Sequence, residues 1–290
     1  MRGIIGAAAI LIVTAGLVQA DDAADKTAAR KKTAETAWAA AEAGDFSHLE
    51  TTHLLIYAPK DWEKRLKDLG TLLEKHYDKA VAALSSDGKK ETLPVKATVF
   101  IFADRDHFGA FVRRVEKRRL ESDDTASYDA TDEALHVALA VGPSQSKTDV
   151  NTEGQAGEQL AELLLARKAG VKTILPGWLV DGFGRATYYH AVGGPKTAAD
   201  RQKAASWAAK GYAKDIWTGA VDVDKAPALQ GSLADYLAYG RGASKFSAIL
   251  SGFAPEENME KKTTEQALEA AEIKPEQLEK AWKTWTRSAK

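Results

Sequence analysis

Along the chain, runs of apolar residues switch between a helical and a strand period, and the switches mark out elements. Over residues 61–84, Leu66, Leu69, Leu72, Leu73, Tyr77, Val81 and Leu84 recur at three- and four-residue steps, which predicts an amphipathic helix. Before it, residues 53–57 (His53, Leu54, Leu55, Ile56, Tyr57), and after it, residues 95–102, are short aliphatic and aromatic runs that predict strands. A second helix is expected over residues 106–120. Next, Leu135, Val137, Leu139 and Val141 alternate with Ala134, His136, Ala138 and Ala140, which predicts a strand with one bulky and one small face. Beyond residue 150 the period is helical. Thr152-Glu153-Gly154-Gln155 has the spacing of a capping box, Gly170 after Arg167-Lys168 fits a helix stop, and Pro176 opens a helix that ends near Gly193-Gly194. Residues 198–232 read as mixed helix and loop, and the chain is helical from Leu233 onward.

The first twenty residues carry Arg2, an apolar run from Ile4 to Val18, and Val18-Gln19-Ala20 before Asp21. This pattern predicts a signal peptide removed after Ala20, because the run is short of the ~20 residues that span a bilayer. A retained anchor is the alternative. Residues 21–47 form an alanine-rich, charged leader with Trp38 as its large anchor, read as a weakly docked helix ended by Gly44-Asp45. An α+β lobe over 48–150 and a helical lobe over 151–290 follow. Export places the protein in the periplasm, the cell envelope or outside the cell, and no later segment of the mature chain is apolar enough to span a membrane. The chain has no cysteine, so disulfides contribute nothing to its stability. With 40 basic and 41 acidic residues the net charge is −1, which gives no electrostatic reason to bind nucleic acid.

One segment carries candidate chemistry. Glu158-Gln159-Leu160-Ala161-Glu162-Leu163-Leu164 is followed by Leu175-Pro176-Gly177-Trp178-Leu179-Val180-Asp181-Gly182-Phe183, and later by Tyr239-Gly240-Arg241-Gly242. This frame resembles the peptidase MA-like (gluzincin) metallopeptidases, in which H-E-x-x-H supplies two zinc-binding imidazoles and a general base, and a following helix supplies a third ligand, Glu. The resemblance covers roughly residues 50–287 and extends to the final helices over 264–282. It implies an α+β fold: a small N-terminal mixed sheet with helices, then a mainly helical C-terminal lobe. It further implies that 135–141 is an edge strand above the site and that Tyr239 is the carbonyl-binding tyrosine. At the chemical positions the chain departs: Glu158 and Glu162 replace the imidazoles, Gln159 the base, and Asp181 the distal Glu.

An amide cannot take a proton from water, so hydrolysis by the family mechanism is not expected and no catalytic residue is assigned. Zinc prefers nitrogen and sulfur donors and is not expected on Glu158, Glu162 and Asp181, although Ca2+, Mg2+ or Mn2+ would accept three carboxylates. Convergence of the three acids without a cation would raise at least one pKa. The plainer alternative is an ion pair between Asp181 and Arg185, with the two glutamates facing solvent or a lysine. His136 and His190 are the histidines that could approach the site. Trp178 is read as packing its helix against the preceding one, and Trp282 and Trp285 as packing the terminal helix. The chain shows no Ser-His-Asp arrangement, phosphate loop or dinucleotide fingerprint. The expectation is thus an exported, catalytically inactive gluzincin-like protein that binds a peptide, an envelope component or a protein partner in the inherited cleft. The alternatives are a hydrolase with a non-zinc divalent metal on Glu158, Glu162 and Asp181, and a purely structural envelope protein.

Overall fold

A computed structural model describes residues 11–85, 93–141, 151–212, 216–217, 220–222, 224–256 and 261–288. Half of the expected signal peptide, residues 1–10, lies outside them; residues 11–40, which include its other half and most of the expected leader, are one helix, α1 (Leu11–Ala40). Its docking is firmer than expected. Arg30, Ala34, Trp38 and Ala41 recur every three or four residues and are all buried, so they form one stripe against the body. Trp38 stacks on Phe102 at 5.1 Å and donates from Nε1 to the Gly44 carbonyl at 2.9 Å.

The sheet contains β1 (Phe46–Glu50), β2 (Leu54–Pro59), β3 (Ala97–Phe102), β4 (Ala126–Asp129) and β5 (His136–Ala140), in the order β1-β2-β3-β5-β4. Strands β2, β3 and β5 run parallel, while β1 and β4 are antiparallel to their neighbours. Helices α2 (Leu66–Leu84) and α3 (Arg105–Arg114) make the crossovers. They lie on opposite faces: Ile56, Val99 and Val137 join the core under α2, and Tyr57, Phe100 and Ala138 join the aromatic layer under α3 and α1. The expected bulky and small faces of β5 are therefore both covered.

The position of that strand differs from expectation. β5 sits between β3 and β4, so it is interior, and the edge role passes to β4, one hairpin earlier. The four-residue run Ala126-Ser127-Tyr128-Asp129 is too short to stand out as a strand from period alone. The turn into β5 passes through Leu135 at φ +30°, a conformation that costs free energy in a β-branch-free but bulky residue. Arg30 holds this turn, donating to the carbonyls of Glu133, Ala134 and Leu135.

Seven helices follow: α4 (Thr152–Ala169), α5 (Gly177–Val192), α6 (Pro195–Ala209), α7 (Ala226–Ala238), α8 (Ala243–Gly252), α9 (Thr264–Ala270) and α10 (Pro275–Ser288). The fold is thus mixed α+β, with one five-stranded sheet and ten α-helices among the described residues. No helix there is long and apolar enough to cross a membrane. The cap of α4 lies one residue before the expected box: Asn151 accepts from the Gly154 amide, and Thr152 is already helical. Gly170, at φ +96°, ends the helix as predicted.

Candidate functional site

Helix α4 is central. It runs under the sheet against β4 and β5 and touches α2 and α5 on its other sides, which is why nearly every residue from Gly154 to Leu165 is buried. Two long-range bonds tie it along β4. Gln155 Nε2 donates to Thr125 Oγ1 at 3.1 Å just before the strand, and Arg167 donates to the Ala130 carbonyl at 2.8 Å just after it. The edge strand is thereby fixed over the face of α4 that bears the acids. Ala126 and Tyr128, opposite Leu139 and Val137 in the register, lie on this α4 side.

The close approach of α5 depends on Gly184. A Cβ there would fall 2.7 Å from Glu162 Oε1 and 3.0 Å from the Glu158 carbonyl oxygen. The two helices therefore cross at the acids, but the structure separates the three carboxylates rather than gathering them. Glu158 is buried, and its Oε1 lies 2.8 Å from Arg185 Nε, an ion pair by charge and distance. Arg185, 3 % exposed, also lies 3.9 Å from Asp200 on α6, and Asp200 accepts from the Tyr189 hydroxyl at 3.2 Å. The expected Asp181–Arg185 pair gives way to this one. A buried guanidinium is held more strongly by two buried carboxylates than by one in contact with water.

Glu162, 6 % exposed, is left without that cation. Its Oε2 accepts from Gln159 Nε2 at 2.7 Å. Burial, then the charges of Asp181 and Glu158, push its pKa well above the usual carboxylate range, and the Gln159 bond opposes them. Asp181 keeps an exposed surface, and the protein packed around the rest of its carboxylate desolvates it. Water contact limits its shift, and the surrounding protein still lifts its pKa to about 6. Tyr128, half-buried on β4, has its phenol pKa raised by burial and then by Glu162 and Asp181, so the edge strand and both acids share one electrostatic neighbourhood.

Tyr239 does not join them. Its hydroxyl pairs with Thr187 Oγ1 at 2.8 Å, and its ring stacks on His190 at 4.1 Å and on Phe183 at 6.2 Å. At about 100° per residue, Phe183 and His190 lie on the side of α5 opposite Asp181, so the expected carbonyl-binding role is not supported by the geometry. His190 is committed to Asp235 at 2.7 Å, a carboxylate that Arg201 grips through two further bonds of 2.9 and 2.6 Å. His136 pairs with Glu116 at 3.0 Å on the α3 side of the sheet. Neither histidine reaches the acids. Trp178 shares a core with the apolar residues of α4, meets Trp217 edge-on at 5.3 Å and donates to Thr264 Oγ1 at the start of α9. Trp282 and Trp285 do pack α10, the first donating to Ser232 on α7 and the second tilted against Tyr236.

The donor set does not fit zinc: one glutamate is taken by Arg185, another has its pKa raised by burial and bonds to an amide, and His136 and His190 are engaged elsewhere. Among the described residues no three His, Asp or Glu side chains gather as metal ligands. Two participants were not foreseen. Tyr128 had a faint signal, a lone aromatic in a short run ahead of a turn; Arg185 as the partner of Glu158 had none, since the two are 27 positions apart (185 − 158). No protein-family model matches the chain, and a search of curated proteins finds no relative.

Proposed function

We propose that the chain is an exported, catalytically silent gluzincin-like protein that holds an extended peptide segment of an envelope partner against the outer edge of β4. One observation carries this reading: β4 pairs with no second strand on that side among the described residues, and it is tied to α4 through Gln155 and Arg167, with Tyr128 within electrostatic reach of Glu162 and Asp181. An open edge offers a row of backbone donors and acceptors to an extended segment, and alternate side chains then face the acids as Tyr128 does. Gln159 supports binding without cleavage, because its amide points to Glu162 and has no proton affinity to activate water.

The test is a screen of short extended peptides against the purified chain. Selected peptides are expected to slow amide exchange over residues 125–129, to lose roughly tenfold in affinity in Tyr128→Ala, and to remain intact with or without added zinc or calcium. Binding that leaves exchange at 125–129 unchanged, or chelator-sensitive cleavage, overturns the reading. A second reading has one observation in its favour, the separated titration of Glu162 and Asp181, which is the arrangement of an acid–base pair. It requires chelator-insensitive hydrolysis that rises as pH passes about 6, where Asp181 becomes free to accept a proton, and that Asp181→Asn abolishes.

A further inference from the structure

The Tyr239-Gly240-Arg241-Gly242 run sends its tyrosine into the core, which leaves Arg241 outside and unused by the reading above. It stands at the mouth of a groove of about 400 Å3 between the 239–242 turn and α10, lined by Tyr236, Arg241, Gln277, Lys280, Thr284 and Trp285. The floor is aromatic: the Tyr236 and Trp285 rings meet at 5.7 Å and 54°. The turn is seated on that floor by its glycines. A Cβ on Gly240 would come 2.8 Å from the Tyr236 carbonyl oxygen and 3.3 Å from Trp285 Cε2, and one on Gly242 would come 3.1 Å from Tyr236 Cε1. Arg241 and Lys280 are exposed at the rim, and neither has an ion-pair or hydrogen-bond partner for its side chain among the described residues.

We propose that this groove binds a small aromatic carboxylate, its flat ring against Tyr236 and Trp285 and its carboxylate between Arg241 and Lys280. The volume suits a small ligand, aromatic rings favour a planar partner, and a guanidinium fork beside an ammonium matches a carboxylate. Gln277 and Thr284 supply neutral hydrogen-bonding groups at the wall. The site is separate from β4, and its occupancy does not depend on peptide binding there.

The probe is naphthalene-2-carboxylate, compared with its uncharged amide, titrated into the full chain and followed by tryptophan emission. The carboxylate is expected to saturate one site, to bind roughly tenfold tighter than the amide at low salt, and to lose that advantage as salt is raised. The double variant Arg241→Gln, Lys280→Gln is expected to bind both compounds at the level of the amide. Its melting temperature should match the parent, since both side chains are exposed. Equal binding of acid and amide by the parent, affinity for the acid that is insensitive to both salt and the double variant, or no saturable binding overturns the proposal. The salt and amide comparisons need no variant, so they decide the question even if the double variant is unstable.

Discussion

Glu158 and Glu162 sit one turn apart on the same buried helix, and the protein deals with their charges in opposite ways. The first belongs to an ionic knot, Glu158–Arg185–Asp200, buried where α4, α5 and α6 meet. The second lies beneath β4, where burial and the charges of Asp181 and Glu158 favour the neutral acid against the opposing bond from the Gln159 amide. The two are buried to the same degree, so what separates them is the partner: a cation for Glu158, and none for Glu162. The knot is thus a matter of stability, and the acids under β4 keep their response to pH.

The largest expected effect comes from breaking the knot. Arg185→Met leaves Glu158 and Asp200 buried without their shared cation and should cost about 3–5 kcal/mol in urea denaturation. A loss below ~1 kcal/mol would show that the knot is not a closed charge system. Gly184→Ala attacks the boundary between the regions. With a methyl 3.0 Å from the Glu158 carbonyl oxygen, the α4–α5 crossing must open, at about 1–3 kcal/mol, and the same change should disturb peptide binding at β4.

A smaller effect separates the two regions by pH. The folded pKa of Asp181 is raised from 3.8 to about 6, and that of Glu162 is raised well above its ordinary 4.5, so the folded state keeps protons that the unfolded chain has released. Their stabilising contribution is complete below the unfolded pKa values and is lost as pH rises through the folded ones. His76 acts with the opposite sign: burial lowers its pKa from 6.5 to about 4, so its contribution is lost as pH falls through that window. The double variant Glu162→Gln, Asp181→Asn leaves His76 in place. Its stability relative to the parent should therefore climb between pH 4 and pH 7, reaching about 1 kcal/mol, and a pH-independent difference would refute the raised pKa values of these two acids. The smallest effect expected is that of Tyr239→Phe, about 1 kcal/mol from the lost Thr187 bond with peptide affinity unchanged. Weakened peptide binding would return that residue to the site under β4.

Much of the framework is legible in the chain because it rests on local rules. The period of Leu66 through Leu84 gives α2, the alternation through Leu139 gives β5, and Gly170 and Pro176 bracket the link from α4 to α5. What escapes is long-range. Strands β1 and β4 are brief and only half-buried, so their identity comes from pairing with β2 and β5 rather than from their own pattern. Arg185 shares a helix with Asp181 at the favourable four-residue spacing, and what decides its partner is the burial of Glu158 and Asp200, set by helices far away in the chain. The direction of Tyr239 follows likewise from the stack of Phe183 and His190 beneath it.

The guanidinium of Arg30 makes the amino-terminal helix a lever. It grips the loop joining β4 to β5, and Trp38 pins the same helix to β3 a little over two turns later. A displacement applied near residue 21, where the mature chain is expected to begin, travels about 14 Å along the helix to Arg30 and so to the hairpin at the sheet's outer rim. A pull on the front of this protein is therefore expected to reach the β4–β5 hairpin before it strains the helical body.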